Sequence, residues 1–203
     1  VTMRVAILDS GLAPGMAVAA REFCEPGALS DHGDKVAALV REAAPQVDLL
    51  DGRVFGERLQ TSVEQVAEAL DWAVGQGAGI INLSLGLRED RARLRLAIEA
   101  ALAAGVVIVA PAPARGGPVY PSAYAGVIAV TGDARCGDHD FSWLGEAHVD
   151  FGACPRPLTG PVGIGGASFA AARVTGALAR LAGSGDLVEQ LRASCRFTGR
   201  ERR

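Results

Sequence analysis

Short aliphatic runs alternate along this chain with stretches of helical period, and that alternation constrains its fold more than any other feature. RVAIL, residues 4–8, precedes a helical pattern over about 32–41; VDLL and RVF precede one over about 61–74; GIINLSLG precedes one over about 91–104; VVIVA and GVIAVTG follow. Strands separated by helices predict an α/β fold, doubly wound, whose mainly parallel sheet is flanked by helices on both faces. GGASFAAARVTGALARLAG then reads as a long Ala-rich helix, buried because its apolar surface extends all round. A short helix over about 186–193 follows it. In open α/β sheets the chemistry lies beyond the carboxyl ends of the strands, near the switch in strand order.

No repeat or linker divides the 203 residues, so the chain reads as a single domain over 1–203. With 49% hydrophobic but only 5% aromatic residues, the core has to be aliphatic. The 26 glycines follow no period, which places them in tight turns and close backbone approaches. A net charge of -3 offers nucleic acid no electrostatic footing. No apolar run reaches the ~18 residues of a membrane span. The chain enters its first strand by the fourth residue, which leaves no room for a signal peptide and makes a cytoplasmic location the expectation. Cys24, Cys136, Cys154 and Cys195 lack metal-binding spacing and read as free thiols. The terminal GRERR reads as a solvated tail, and Asp138-His139-Asp140 as a hydrogen-bonded turn; no metal and no cofactor are expected.

Three short motifs carry chemistry. Asp9 ends the first strand and precedes Ser10-Gly11; by itself this is also the pattern of an Asx-turn. His32-Gly33 opens a helix, where glycine leaves room for another backbone to approach; a lone histidine there is equally a surface residue. Ser168 stands at the start of the Ala-rich helix, at the positive end of its dipole; an isolated serine there is also an ordinary N-cap. Their combination is more informative, because a serine nucleophile needs a general base and the base needs a carboxylate to orient it.

Asp, His and Ser in that order resemble the subtilisin-like serine proteases, the subtilases. VAILDSG is similar to the family's aspartate motif, HGDKVA to its histidine motif HGTHVA, and GGASFAAARVTG to its serine motif GTSMAAPHVAG. YPSAYAGVIAV resembles the family's YPAxYxxVIAV. The resemblance implies a compact subtilisin-like fold and a serine endopeptidase with Asp9, His32 and Ser168 as catalytic residues. It also implies that INLSLG lines the substrate cleft, with Ser84, Leu85 and Gly86 pairing with an extended protein or peptide substrate. A segment near 59–61 would form the opposite wall.

Two positions depart from the family. Laid on VVVAAAGNxG, the segment VVIVAPAPARGG puts Ala114 where the oxyanion-hole asparagine belongs, and a methyl group donates no hydrogen bond. Ala167 replaces the threonine beside the family's serine. Arg115, the next residue after Ala114, is a candidate replacement donor, and a candidate cation for the pocket that receives the side chain before the cleaved bond. Brevity and the altered oxyanion position together resemble the short subtilases that remove a leader peptide during maturation, as for a quinohemoprotein amine dehydrogenase subunit. The alternative is a pseudoprotease that keeps the peptide cleft but turns over little; acyl transfer to an amine would use the same residues.

Overall fold

The computed structural model describes residues 2–25, 27, 30–56, 58–161, 165–183 and 185–201. Its strands are β1 (Arg4–Asp9), β2 (Ala19–Glu22), β3 (Asp48–Arg53), β4 (Ile80–Leu83), β5 (Val107–Pro111), β6 (Ile128–Gly132), β7 (Phe141–Glu146), β8 (Val149–Ala153) and β9 (Phe197–Thr198). Between them lie α1 (His32–Ala43), α2 (Val63–Gly75), α3 (Ala92–Ala103), α4 (Ala167–Leu181) and α5 (Leu187–Ala193). Among the described residues the strands form one sheet in the order β2-β3-β1-β4-β5-β6-β8-β7-β9. All neighbouring strands are parallel except β7 and β8. The doubly wound α/β expectation is met.

The two faces follow from the period of two along each strand. Val5 and Ile7 of β1 point into a core shared with α1 and α4, whereas Ala6 and Leu8 point into a second core shared with α2 and α3. Because both faces are covered, the central strands are apolar at nearly every position, which is why they read as unbroken aliphatic runs. Helix α4 is buried from Phe169 to Ala179. Its small residues permit close approach to α1: a Cβ on Gly176 would sit 2.9 Å from both the Ala43 Cβ and the Val40 carbonyl oxygen.

Several boundaries differ from the sequence reading for local reasons. α2 starts at Val63 because Ser62 caps it, accepting from the Gln65 amide while the Gln65 side chain accepts from the Ser62 amide. α5 starts at Leu187, after Asp186 accepts from the amides of Val188 and Glu189. The antiparallel pair β7 and β8 has no counterpart in the sequence reading, since β7 is half-exposed and presents no continuous apolar run. The terminal GRERR is not simply solvated. Gly199 donates to the Trp143 carbonyl, and Arg200 bonds to Glu146 and to the Ala114 carbonyl; Arg202 and Arg203 lie outside the described residues.

The chain runs from β1 to β3 on one side and then crosses to β4 on the other, so the switch in strand order lies between β1 and β4. Asp9 ends the first of these strands and Ser84 follows the second. Among the described residues no helix is long and apolar enough to cross a membrane.

Candidate active site

Asp9 leaves the sheet with its carboxylate buried, 1% exposed, at the switch between β1 and β4. Oδ1 accepts a 2.6 Å hydrogen bond from the Ser10 amide, and both carboxylate oxygens lie 2.9 Å from His32 Nδ1. A carboxylate against Nδ1 selects the tautomer whose proton sits on that nitrogen and leaves Nε2 as the base. The hydrogen bond from His32 to Asp9 raises the imidazole pKa above its ordinary value, with burial of the ring pulling the other way.

His32 is held from several directions. It is the first residue of α1, and the following Gly33 amide donates to Ser10 Oγ, which in turn donates to the Ser30 carbonyl. The loop after Asp9 is anchored by two further carboxylates: Asp51 accepts from the Leu12 amide and Asp34 from the Ala13 amide. Asp51 is buried, and burial pushes its carboxyl up to about 6, against the opposing pull of the Leu12 amide and Arg53. On its other side the imidazole meets the Phe169 ring, with centroids 5.1 Å apart.

Phe169 directly follows Ser168, so this ring contact brings the start of α4 to His32. Gly166 is the N-cap of α4, making Ser168 the second helical residue rather than the cap. Its amide therefore belongs to the first turn, where N–H groups have no partner within the helix and face outward at the positive end of the dipole. Gly166 itself is fixed by a hydrogen bond from its amide to the Pro155 carbonyl. Seven residues further along the same face of α4, buried Thr175 donates to Asn82 Oδ1 of β4, and Asn82 Nδ2 reaches Ser84 Oγ at 3.4 Å. The helix that begins at Ser168 and the strand that leads to Ser84 are thus registered through a buried polar chain.

A cavity of about 390 Å³ opens here, and Asp9, His32, Phe55, Leu59, Ser84 and Phe169 are among the residues lining it. Leu59 supports the expected second wall near 59–61; it has φ of 52° and is 61% exposed. Leu85 is anchored in the core by its side chain, yet among the described residues no hydrogen bond engages the backbone of Leu85 or Gly86. An unpaired backbone edge is what an added peptide strand requires.

Ala114 and Arg115 sit on an exposed segment after β5. Both line a cavity of about 370 Å³ with Arg135 and Arg200, and Arg115 also lines one of about 380 Å³ with His148; neither residue lines the cavity around His32. Asp138, His139 and Asp140 are spent on separate partners, Arg173, Glu42 and Arg196, while Asp140 also accepts from the Gly137 amide across a turn. Among the described residues no three His, Cys, Asp or Glu side chains are grouped to hold a metal.

Sequence reasoning missed Asp51, Asn82, Thr175 and the ring of Phe169. Asn82 within an aliphatic strand and Thr175 within an apolar helix are detectable as polar interruptions, but nothing local pairs residues 93 positions apart.

Comparison with known proteins identifies the family. The model of the subtilase family matches residues 3–142. That span includes Asp9, His32, Ser84 to Gly86, Ala114 and Arg115, whereas Ser168 lies beyond it. The thermostable alkaline protease of Halalkalibacterium halodurans is 33% identical over 145 residues, 63% of this chain and 40% of that protein. Subtilisin Savinase of Lederbergia lenta is 31% identical over 146 residues, 63% of this chain and 54% of that protein. The chain therefore spans about half, or less, of the length of these relatives. Among solved structures, the prenylagaramide maturation protease PagA superposes with a TM-score of 0.65 at 25% identity, covering 88% of this chain and 74% of that one. MycP1 with its N-terminal propeptide removed gives 0.69 at 24%, covering 88% and 77%, a likeness of fold. Since the family model matches well over half of its residues, the chain belongs to the subtilase family.

Proposed function

We propose that this chain is a serine endopeptidase domain that cuts one or a few protein substrates during their maturation, by removal of a leader segment. The observation that carries the reading is the Asp9 carboxylate, buried and 2.9 Å from His32 Nδ1, in the wall of a cleft that the first turn of α4 also reaches. Ser168 Oγ attacks the scissile carbonyl as His32 Nε2 takes its proton; the same nitrogen then returns the proton to the leaving amine, and water releases the acyl group by the reverse sequence. Asp9 orients the imidazole and stabilises its cation. The Ser168 amide donates to the developing oxyanion. Substrate lies extended along Ser84 to Gly86, with Leu59 on the facing wall.

The maturation role draws support from the likeness to PagA, itself described as a maturation protease. A reducing, intracellular setting is consistent with four free cysteines. Arg115 lies outside the cavity at His32, so its assigned preference for an acidic residue before the cleaved bond rests on its positive charge alone; preferential cleavage after lysine in a peptide library would reverse that assignment.

A pseudoprotease is the second reading, favoured by Ala114 and Ala167 standing where the family has donor side chains. One experiment separates the two. The protein and its Ser168→Ala variant are incubated with leader-bearing peptides and the products followed by mass spectrometry. Cleavage by the parent alone is expected. Equal cleavage by both, or by neither, overturns the protease reading, and joined peptides would mean transfer to an amine.

A further inference from the structure

The segment after β5 is almost untethered along its own length. Residues 113–118 are all exposed, begin and end with proline, and contain Gly116 at φ of 108°. Among the described residues the single hydrogen bond that any of them makes to the rest of the chain is accepted by the Ala114 carbonyl, 2.9 Å from Arg200 Nη1.

Arg200 is itself firmly placed. Its Nε donates to Glu146 Oε1 at 2.5 Å. The backbone just before it is pinned to the sheet edge, where β9 pairs with β7, the Gly199 amide donates to the Trp143 carbonyl and Arg135 donates to the Gly199 carbonyl at 2.7 Å. Arg135 is in turn held by both oxygens of Asp133. The guanidinium that reaches Ala114 thus projects from a braced support.

We propose that Arg200 is a positioning residue that holds the 113–118 segment, and through it the Ala114–Arg115 amide, in place beside the substrate cleft. The sheet order shows why this matters. β5 lies between β4 and β6, so the segment leaving β5 starts between the strand that leads to Ser84 and the β6-β8-β7-β9 side of the sheet, where Ala114, Arg115 and Arg200 line a common cavity. Arg200 draws the Ala114 carbonyl toward that edge. In a trans peptide the N–H points away from the carbonyl, so fixing one fixes the other, and the Arg115 N–H is turned away from the edge that holds Arg200. A charged donor on the carbonyl also polarises the amide and strengthens its N–H as a donor. The segment that lacks the asparagine side chain is thereby held by the far end of the chain. The catalytic consequence rests on the protease reading; the tether does not.

The test compares the full chain with Arg200→Ala and Arg200→Lys by amide hydrogen exchange and by hydrolysis of p-nitrophenyl butyrate. In Arg200→Ala the amides of residues 114–117 exchange at least about fivefold faster, while β5 and β6 keep their protection. The same variant loses about tenfold in kcat with KM changed less than about twofold, the pattern of a weakened oxyanion contact. Arg200→Lys, which keeps a cationic donor, recovers part of both, and unchanged β5 protection distinguishes loss of the tether from unfolding. Unchanged exchange at 114–117 overturns the tether, and faster exchange with unchanged kcat overturns the positioning role. If the parent hydrolyses neither the ester nor leader-bearing peptides, the protease reading falls and the catalytic consequence with it, while exchange still decides whether Arg200 holds the segment.

Discussion

The carbonyl oxygen of Gly11 lies 2.3 Å from where a Cβ on Gly33 would be, so the loop after Asp9 and the first turn of α1 fit together only because position 33 has no side chain. This contact sets how closely His32, next to Gly33, approaches Asp9. Both the obstructing atom and its surroundings are backbone, so neither yields as the end of a flexible side chain would. Gly33→Ala is expected to destabilise the protein by about 1–3 kcal/mol in denaturant melts. Labelling of Ser168 by a fluorophosphonate should slow as well, because the imidazole is displaced from its carboxylate. A variant as stable and as reactive as the parent would show that the two segments are not in register through this contact.

The Asp9–His32 pair predicts a pH profile. Since the carboxylate raises the imidazole pKa, His32 stays protonated to higher pH than an ordinary histidine, and the neutral base appears as pH rises through that raised value. The fluorophosphonate labelling rate should therefore climb with a midpoint above the usual histidine value of about 6.5. Asp9→Asn should move the midpoint down and cut turnover by about 10⁴-fold, as loss of the orienting carboxylate does in serine triads. A midpoint that Asp9→Asn leaves in place would detach the titration from His32.

Restoring a donor at position 114 tests the altered oxyanion segment. Ala114→Asn should raise kcat by about 10- to 100-fold with little change in KM, since such a donor engages the transition state more strongly than the bound substrate. Position 114 is exposed, so the larger side chain meets no core packing. Unchanged or reduced kcat would mean that the segment does not face the reacting carbonyl.

Asp51 predicts a stability change with the opposite dependence from a salt-bridged carboxylate. Its pKa is raised by burial to about 6 in the folded protein, so the folded state binds more protons than the unfolded state between about 3.8 and about 6. Stability from this group is therefore fully present below that window and is lost as pH rises through it. Asp51→Asn, which keeps an acceptor for the Leu12 amide and never ionises, should be more stable than the parent by up to about 2 kcal/mol at neutral pH and no more stable near pH 4. Melts at the two pH values measure the difference; a variant less stable at both would show that the ionised carboxylate is favoured where it lies.

The central strands and the four longer helices were legible because both signals are local: aliphatic runs of strand length, and apolar residues at helical period. β2, β7, β8 and β9 were not: β2 and β9 are short strands at the sheet edges, β7 is half-exposed, and β8, though mostly buried, is the mixed run VDFGA, in which Asp150 and Gly152 break any aliphatic signal. Asp9 and His32 were legible as motifs, and their pairing became visible in the structure. The role given to GRERR failed for a related reason. A charged tail looks solvated when read alone, whereas Arg200 finds both of its partners more than fifty residues away.

By itself the sequence determined the layered α/β architecture and the positions of Asp9, His32 and Ser168 at strand ends and helix starts, because backbone period and chain punctuation are written residue by residue. Only the tertiary structure decided that Thr175 registers α4 against Asn82, that Gly33 must clear Gly11, and that Arg200 braces Ala114. Each of these joins segments distant in the chain. Such contacts exist once the sheet has set the strand order, and their strength depends on burial and direction, which no local stretch of sequence encodes.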